Sequence, residues 1–175
     1  GNLAAKACAD KNPCNVAYLE GFKTLPLDNA RTKAFGQALA AAAPNAKIVA
    51  SVEGGYSPDS GKKAAQDALQ ANPKIDVMIG SSQAILGAEG VVNTAKVKLI
   101  GNGSSTEAYA AVKSGKWFAI YNSDIKGMGS KSAQLGIDAA NGVDVDPVFD
   151  TTTLLDPNGT KDVVGDLVGD YSDLG

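Results

Sequence analysis

The sequence predicts an α/β fold in which a doubly wound parallel sheet is covered by helices on both faces. Short continuous apolar runs recur along residues 1–121. Ala-rich segments whose apolar residues repeat at helical spacing separate these runs, and the two kinds of segment alternate regularly. Parallel strands can be joined only by a long crossover, usually a helix, so this alternation is typical of a parallel sheet buried on both faces.

The apolar runs are predicted as strands because they are short, unbroken and bounded by turn residues. The predicted strands cover residues 15–19, 47–52, 76–79, 97–100 and 117–121. The Ala-rich segments are predicted as helices over residues 3–10, 30–43, 60–71, 83–94 and 106–114. At 175 residues the chain is long enough for one well-buried domain.

Side chains that accept hydrogen bonds from free backbone N–H groups mark the predicted helix starts. The predicted N-cap residues are Asp28, Ser60, Ser82 and Ser104. Ser104 and Glu107 have the spacing of a capping box. These local signals agree with the alternation of strands and helices.

The pattern changes after the last predicted strand. Residues 125–141 are predicted as another helix, residues 147–155 as an extended segment and residues 160–174 as an acidic tail. Glycines alternate along this tail and weaken any long helix there.

Composition disfavours several function classes. The net charge is -3 and charged residues make up 20% of the chain, so no basic face for a nucleic acid is expected. The chain contains no histidine, no nucleophile in an elbow context and no phosphate-loop lysine. We therefore expect neither catalysis nor a metal site nor a cofactor.

Cys8 and Cys14 are the only cysteines. They either close as a local disulfide across the end of a predicted helix or remain two buried thiols, and the sequence leaves both open. A disulfide would indicate a location outside the cytoplasm. The chain has no starting Met and no apolar run long enough to cross a membrane, so we expect a mature, processed or truncated chain.

Polar, glycine-containing loops follow the predicted strands. In an open parallel sheet, ligands bind beyond the carboxyl ends of the strands, where helix N-termini also lie. Gly101 and Gly103 would allow a close approach of backbone to ligand, and Asn102 offers a donor and an acceptor. Ordinary turn and cap roles for the same residues remain an alternative. The loops are residues 20–29, 53–60, 80–83, 101–105 and 122–124.

A family resemblance lies in the stretches DNARTKAFGQAL, GGYSPDSGKKAAQDALQANPKIDVMIGSSQAILGA and LIGNGSSTEAYAAVKSGKWFAIYNSD. Together they resemble the C-terminal half of the ribose-binding-like, type I periplasmic sugar-binding proteins of ABC transporters. The resemblance implies the C-terminal lobe of the type I periplasmic binding protein fold, a small sugar or polyol-like ligand and an ABC transporter permease as partner. It also implies a periplasmic or extracellular location, with a membrane anchor in the parent protein as one option.

The same resemblance implies a domain organisation. Such proteins have two lobes joined by three strand crossings, and the ligand is captured between the lobes by hinge closure. Residues 1–124 would be the C-terminal ligand-binding lobe, residues 125–147 a helix that returns to a missing N-terminal lobe, and residues 148–175 the last hinge crossing and tail. We expect an apolar stripe on that helix to be exposed or to be covered by the missing lobe or a second copy. The stripe consists of Ile125, Met128, Leu135 and Ile137.

The resemblance further implies residues that hold the ligand. The arginine that grips sugar hydroxyls in the family falls at Asn29, with Arg31 two residues further on, and the stacking aromatic falls at Tyr56. Guanidinium and amide groups serve pairs of hydroxyls, while aromatic faces pack on apolar C–H patches. Lobe packing remains an alternative for Tyr56, and a cap for Asn29. Arg31 could instead pair with Asp28.

More ligand positions follow from the same comparison. A hydroxyl-binding asparagine of the family falls at Ser81, an aspartate at Gly103 and the hinge glutamine at Ser123. The missing aspartate disfavours a simple pentose. The predicted ligand-binding residues are Asp28, Asn29, Arg31, Tyr56, Ser81, Ser82, Asn102, Asn122 and Ser123.

Two alternatives from other functional classes stay open. The effector-binding core of a LacI-type transcriptional regulator shares this architecture, but the chain has no helix-turn-helix segment and a disulfide would argue against it. An α/β enzyme domain is disfavoured by the missing catalytic groups.

Overall fold

Parallel strands form a single five-stranded sheet in the part of the chain that the structure describes. This computed structural model describes residues 1–150 and 159–175. The strands are β1 (Cys14–Glu20), β2 (Ala46–Glu53), β3 (Val77–Ser81), β4 (Lys98–Asn102) and β5 (Ala119–Tyr121). They pair in the order β2-β1-β3-β4-β5, with every pair parallel.

Helices cover both faces of this sheet. They are α1 (Asn2–Ala7), α2 (Pro26–Ala42), α3 (Pro58–Ala71), α4 (Ser82–Glu89), α5 (Thr106–Lys113), α6 (Ile125–Ala140) and α7 (Lys161–Val164). Residues of α1 and α2 pack with one set of strand side chains, and residues of α3, α4 and α5 pack with the other set. The predicted doubly wound α/β fold is therefore confirmed.

Successive residues of a strand alternate between the two layers. Val77 and Ile79 of β3 belong to the cluster that contains α1 and α2, whereas Met78 belongs to the cluster that contains α3 and α4. All three side chains are buried. Because both faces of the sheet are covered, its strands read as continuous apolar runs, which is why the sequence pattern identifies them.

Two contacts attach α1 to the sheet. The Cys8–Cys14 disulfide joins the end of α1 to the start of β1, with 5.5 Å between the Cα atoms. On β4, Lys98 donates a hydrogen bond from Nζ to the carbonyl of Ala7 at 2.7 Å and pairs with Asp10 at 2.7 Å. Of the two states that the sequence leaves open for the cysteines, the disulfide is the observed one.

The helices that follow β1 and β2 begin earlier than predicted. α2 begins at Pro26 rather than Ala30, and α3 begins at Pro58. Proline is tolerated in a first helical turn because its missing N–H would have no partner there. The predicted caps at Asp28 and Ser60 are therefore wrong, since the residue before each proline takes the N-cap position.

The caps of α4 and α5 each lie one residue from the predicted ones. Ser81 accepts a hydrogen bond from the backbone N–H three residues further on at 3.1 Å, and Ser105 does the same at 3.1 Å. The sequence predicts their neighbours Ser82 and Ser104 as the caps, and both predictions are wrong by one residue. Two adjacent serines carry the same capping chemistry, so the sequence alone does not distinguish them.

Trp117, which lies just before β5, is a core residue. Its side chain is buried and its Nε1 donates a hydrogen bond to Glu89 at 2.8 Å. Glu89 ends α4, well before the predicted end at residue 94. Gly101 was expected to approach a ligand, but it is buried against the tryptophan, where a Cβ would lie 2.5 Å from the ring.

No residue of α6 is buried. Asp124 caps this helix and accepts a hydrogen bond from the N–H three residues further on at 2.6 Å. Ile125 and Ile137 are 47% and 56% exposed, while Met128 and Leu135 are half-buried. The predicted uncovered stripe is confirmed for the two isoleucines. The assignment of this helix to a missing lobe stays a prediction.

The chain returns to the sheet after α6. The extended segment predicted over residues 147–155 lies mainly outside the described residues. Gly159 pairs with Ile120 through two antiparallel hydrogen bonds of 3.0 Å, and Val164 of α7 is fully buried. The short length of α7 agrees with the prediction that glycines prevent a long helix in this tail.

Gly87→Ala is expected to destabilise the protein by about 1–3 kcal/mol, as overpacking of a tight core does. Gly87 of α4 lies against α3, and a Cβ there would overlap the carbonyl oxygen of Pro58. Gly90→Ala at the end of the same helix is the matched control, because its Cβ would make an ordinary contact at 3.5 Å. Urea unfolding measures both variants, and equal stabilities would contradict the close packing of α4 on α3.

Candidate ligand-binding cleft

A cleft with a volume of about 830 Å³ lies at the carboxyl edge of the sheet. Residues at or just after the ends of β1, β3, β4 and β5 line it, among them Gly21, Ser81, Asn102 and Ser123. The chain winds in opposite directions from β1 and from β3, and sheets of this strand order bind ligands at the carboxyl ends beside such a switch point. The volume lies within the range of about 300–1,000 Å³ of small-molecule sites.

Asp28, Arg31 and Tyr56 form a hydrogen-bonded cluster on one wall of the cleft. The Tyr56 hydroxyl donates to Asp28 Oδ1 at 2.5 Å, and Arg31 Nη1 donates to the same oxygen at 3.3 Å. The same guanidinium nitrogen donates to the Tyr56 hydroxyl at 3.1 Å. Asp28 Oδ2 accepts a hydrogen bond from the backbone N–H of Phe22 at 2.8 Å. Both carboxylate oxygens are therefore engaged by the protein itself.

Burial and charge determine the protonation of this cluster. Asp28 is 3% exposed, and burial alone would raise the pKa of its carboxyl group. The hydrogen bonds from Tyr56 and Phe22 and the charge of Arg31 outweigh burial, so the pKa of Asp28 lies below its ordinary value. Burial and the hydrogen bond to Asp28 raise the pKa of Tyr56. At neutral pH the cluster thus contains a carboxylate, a guanidinium and a protonated phenol.

Tyr56 contributes an aromatic ring to the same wall. Tyr56 and Phe22 meet edge to face with their ring centroids 5.4 Å apart, and they are 38% and 42% exposed. Deeper in the cleft, the rings of Tyr18 and Phe35 lie 4.5 Å apart. Such rings combine apolar faces with, in the tyrosines, a polar edge that can exchange hydrogen bonds.

The structure brings six of the nine predicted ligand-binding residues to the cleft. They are Asp28, Arg31, Tyr56, Ser81, Asn102 and Ser123. Asn29 is exposed outside the cleft lining and donates its amide to the carbonyl of Lys23 at 3.0 Å. Ser82 and Asn122 are fully buried behind the cleft surface. The ligand contact of all nine residues stays a prediction.

The sequence prediction missed the part of the C-terminal tail that reaches the cleft. Tyr171 lines the cleft and is half-buried, with its hydroxyl 3.5 Å from Ser82 Oγ. The sequence feature that could have pointed to Tyr171 is that it is the one aromatic residue in an acidic tail with regularly spaced glycines. No local pattern, however, indicates where such a tail packs. Other lining residues that were missed are Tyr18, Gln83, Tyr121 and Met128.

Gly103 lies directly beside Tyr171. Its φ of 152° is disfavoured for residues with a side chain, and a Cβ at this position would lie 2.7 Å from the Tyr171 hydroxyl and would overlap Ser82 Oγ. The resemblance placed a family aspartate at this position. In this chain the space beside residue 103 instead holds a phenol from the tail.

Charged groups are few among the described residues that line the cleft: Lys6, Asp28 and Arg31. Within residues 1–150 and 159–175, no group of three or more His, Cys, Asp or Glu side chains could hold a metal ion. Over the same ranges, no helix combines the length and the apolar character that crossing a membrane requires.

Comparison with known families identifies this architecture. A sequence model of the periplasmic binding protein domain family matches residues 1–144. The chain belongs to this family. Comparison with the curated proteins gives no match. The family is one of binding proteins, and its fold is the one that the sequence resemblance predicted.

Solved structures of ABC transporter solute-binding proteins share the fold. One from Actinobacillus succinogenes 130z with bound D-allose is 26% identical, with a TM-score of 0.80 over 92% of this chain and 57% of that chain. One from Mycobacterium smegmatis with bound glycerol is 25% identical, with a TM-score of 0.81 over 98% of this chain and 61% of that chain. One from Bacillus halodurans C-125 with bound myo-inositol is 23% identical, with a TM-score of 0.74 over 82% of this chain and 52% of that chain. This member of the family thus spans 52% to 61% of the length of these proteins.

The Asp28→Asn variant is expected to lose less stability than the wild type when the pH is lowered. Because the pKa of Asp28 is lower in the folded protein than in the unfolded chain, its charged form stabilises the fold above about pH 4, and this stabilisation is lost as the pH falls through the folded-state pKa. The variant lacks this contribution at every pH. We expect it to be less stable than the wild type by about 1–3 kcal/mol at neutral pH and to differ less in acid.

Urea unfolding at neutral pH and at steps down to about pH 3 measures this difference. Asp67→Asn is the control, because it removes one surface carboxylate that pairs with Lys63. A constant difference between the wild type and Asp28→Asn across this range would contradict the charge state described for the cluster.

Proposed function

We propose that this chain is the ligand-binding lobe of an extracytoplasmic solute-binding protein, which captures a neutral sugar or polyol for uptake by an ABC transporter. The observation that carries the proposal is the wall on which Asp28 holds Arg31 and Tyr56 at the mouth of the cleft. A guanidinium and a phenol fixed side by side can serve neighbouring hydroxyl groups of one ligand.

Arg31 is suited to this role because its partners leave donors to spare. A guanidinium has five N–H donors. Arg31 Nη1 contacts Asp28 and Tyr56, and 45% of the side chain remains exposed. The buried carboxylate fixes the orientation of the guanidinium before a ligand arrives, which lowers the entropy cost of binding. We assign Asp28 this positioning role, since both of its oxygens already accept hydrogen bonds from the protein.

The composition of the cleft favours a neutral, polyhydroxylated ligand. The carboxylate of Asp28 offsets the charge of Arg31, so this wall presents hydrogen-bonding groups without a large excess of charge. The exposed ring of Tyr56, which lines the cleft, offers an apolar face to the C–H patches of a sugar ring. The solved relatives described above carry D-allose, glycerol and myo-inositol, which share this chemistry.

The proposal includes a second lobe that closes over the cleft. The chain spans 57% and 61% of the length of the relatives with D-allose and glycerol. Ile125 and Met128 of α6 line the cleft, although no residue of this helix is buried. We assign residues 1–124 to the ligand-binding lobe, residues 125–147 to a helix that packs on the other lobe, and residues 148–175 to the last crossing and the tail.

Capture by closure also defines the partner and the compartment that we propose. A ligand that bridges two lobes stabilises the closed state, and a permease of an ABC transporter would distinguish that state from the open one. The buried disulfide Cys8–Cys14 supports a location outside the cytoplasm. The same disulfide argues against the LacI-type regulator, which acts in a reducing compartment.

Isothermal titration calorimetry with D-allose, myo-inositol and glycerol tests the proposal on the protein in its full natural length. We expect at least one of the three probes to bind to the wild type. Arg31→Ala should weaken that binding by about ten- to a hundredfold, because the ligand loses a charged hydrogen-bond donor of the protein.

Lys33→Ala is the matched control, since Lys33 is an exposed cation on the same helix and does not line the cleft. Its affinity should equal that of the wild type. Absence of binding to all three probes, or equal loss in the two variants, would contradict the proposal. Thermal unfolding of Arg31→Ala separates lost contacts from lost structure.

A further inference from the structure

We propose that Tyr171 donates a hydrogen bond to the bound sugar or polyol, and that the tail segment 169–174 holds this residue as a fixed part of the cleft wall that selects the ligand. This inference rests on the proposed function and adds to it a specificity-determining residue. It concerns a part of the chain that follows the last helix and lies far in sequence from the strand ends.

The first support is the position of the phenol. Tyr171 lines the same cleft as Arg31 and Tyr56. Its hydroxyl lies where residue 103 has no side chain, since a Cβ on Gly103 would come within 2.7 Å of that oxygen. A polar group from the tail therefore takes the place of a side chain on the loop after β4.

The second support is the attachment of the tail by a half-buried carboxylate. Asp173 Oδ1 accepts a hydrogen bond from Ser82 at 3.0 Å, and Asp173 Oδ2 accepts one from Ser105 at 2.5 Å. Ser82 is the first residue of α4 and Ser105 is the N-cap of α5, and these two helices follow neighbouring strands. Asp173 thus fixes the tail across two of the loops that form the carboxyl edge.

Further hydrogen bonds fix the tail at Tyr171 and at the two residues that follow it. Glu107 accepts hydrogen bonds from the Ser172 hydroxyl at 2.7 Å and from the Asp173 backbone N–H at 2.9 Å. The carbonyl of Tyr171 accepts a hydrogen bond from the backbone N–H of Thr106 at 2.8 Å. These directed contacts make residues 171–173 a built element of the lobe.

The third support is the chemistry of the phenol. A tyrosine hydroxyl can donate one hydrogen bond and accept others, which matches the hydroxyl groups of a polyol. Burial raises the pKa of Tyr171, so the group stays protonated and neutral under physiological conditions. The tail thereby adds a hydrogen-bond donor without adding charge to the cleft.

Tyr171→Phe tests the contact with little change in shape. Calorimetry on the full-length protein uses whichever of D-allose, myo-inositol and glycerol binds most tightly, together with its single-deoxy analogues. We expect the variant to bind that probe about five- to thirtyfold more weakly, because one ligand hydroxyl loses its partner. The loss should disappear for the one analogue that lacks the contacted hydroxyl.

Val168→Ala is the matched control, because Val168 belongs to the same tail, is 77% exposed and does not line the cleft. Its affinity should stay within about twofold of the wild type. Asp173→Asn should weaken binding and also lower the melting temperature, as expected for a residue that positions Tyr171.

Three results would overturn the inference, and they point to different causes. If Tyr171→Phe binds like the wild type while Arg31→Ala does not, Tyr171 makes no contact and the proposed function stands. If Tyr171→Phe loses the same factor for every deoxy analogue, the tyrosine acts on structure and not on one hydroxyl. If the wild type binds none of the three probes, the proposed function fails and this inference fails with it.

Discussion

All the strands of the sheet run in the same direction, so the loops that follow them leave the sheet at one edge. The strand order adds a second constraint, because the chain turns to opposite sides after β1 and after β3 and leaves a crevice between their loops. These two facts place the ligand-binding groups that we assign to the loops after the strands. Arg31 and Tyr56 follow β1 and β2, and Asn102 ends β4. The helices bury both faces of the sheet, and the cleft lies at its carboxyl edge.

Two buried or half-buried carboxylates then fix different parts of the cleft wall. Asp28 holds Arg31 and Tyr56, whereas Asp173 holds the tail that carries Tyr171. In each case the acid accepts hydrogen bonds from the protein, so that a neighbouring donor is oriented toward the cleft before a ligand arrives. The acids position the donors, and the donors contact the ligand. This arrangement suits an uncharged ligand, because a carboxylate whose oxygens already accept hydrogen bonds from the protein interacts only weakly with the ligand.

Local patterns predicted the fold well and the site only in part. The strand at residues 76–79 could be read from the sequence because both of its faces are buried, and its apolar run is continuous. Whether Ser81 or Ser82 caps α4 could not be read, because neighbouring serines offer the same group. Asn29 and Arg31 stand two residues apart on one helix, which turns them to different sides. Tyr171 could not be placed at all, since the docking of the tail depends on contacts between residues remote in sequence.

A crystal structure of the full-length protein grown with its tightest-binding sugar or polyol tests the central claim most directly. The account predicts the ligand in the cleft beyond β1 and β3, with its hydroxyl groups within hydrogen-bond distance of the Arg31 guanidinium and the Tyr171 hydroxyl. It also predicts that Asp28 keeps its bonds to Tyr56 and Phe22 and does not touch the ligand. A ligand bound elsewhere on the lobe, or one that contacts Asp28 while Arg31 and Tyr171 remain free of it, would contradict the account.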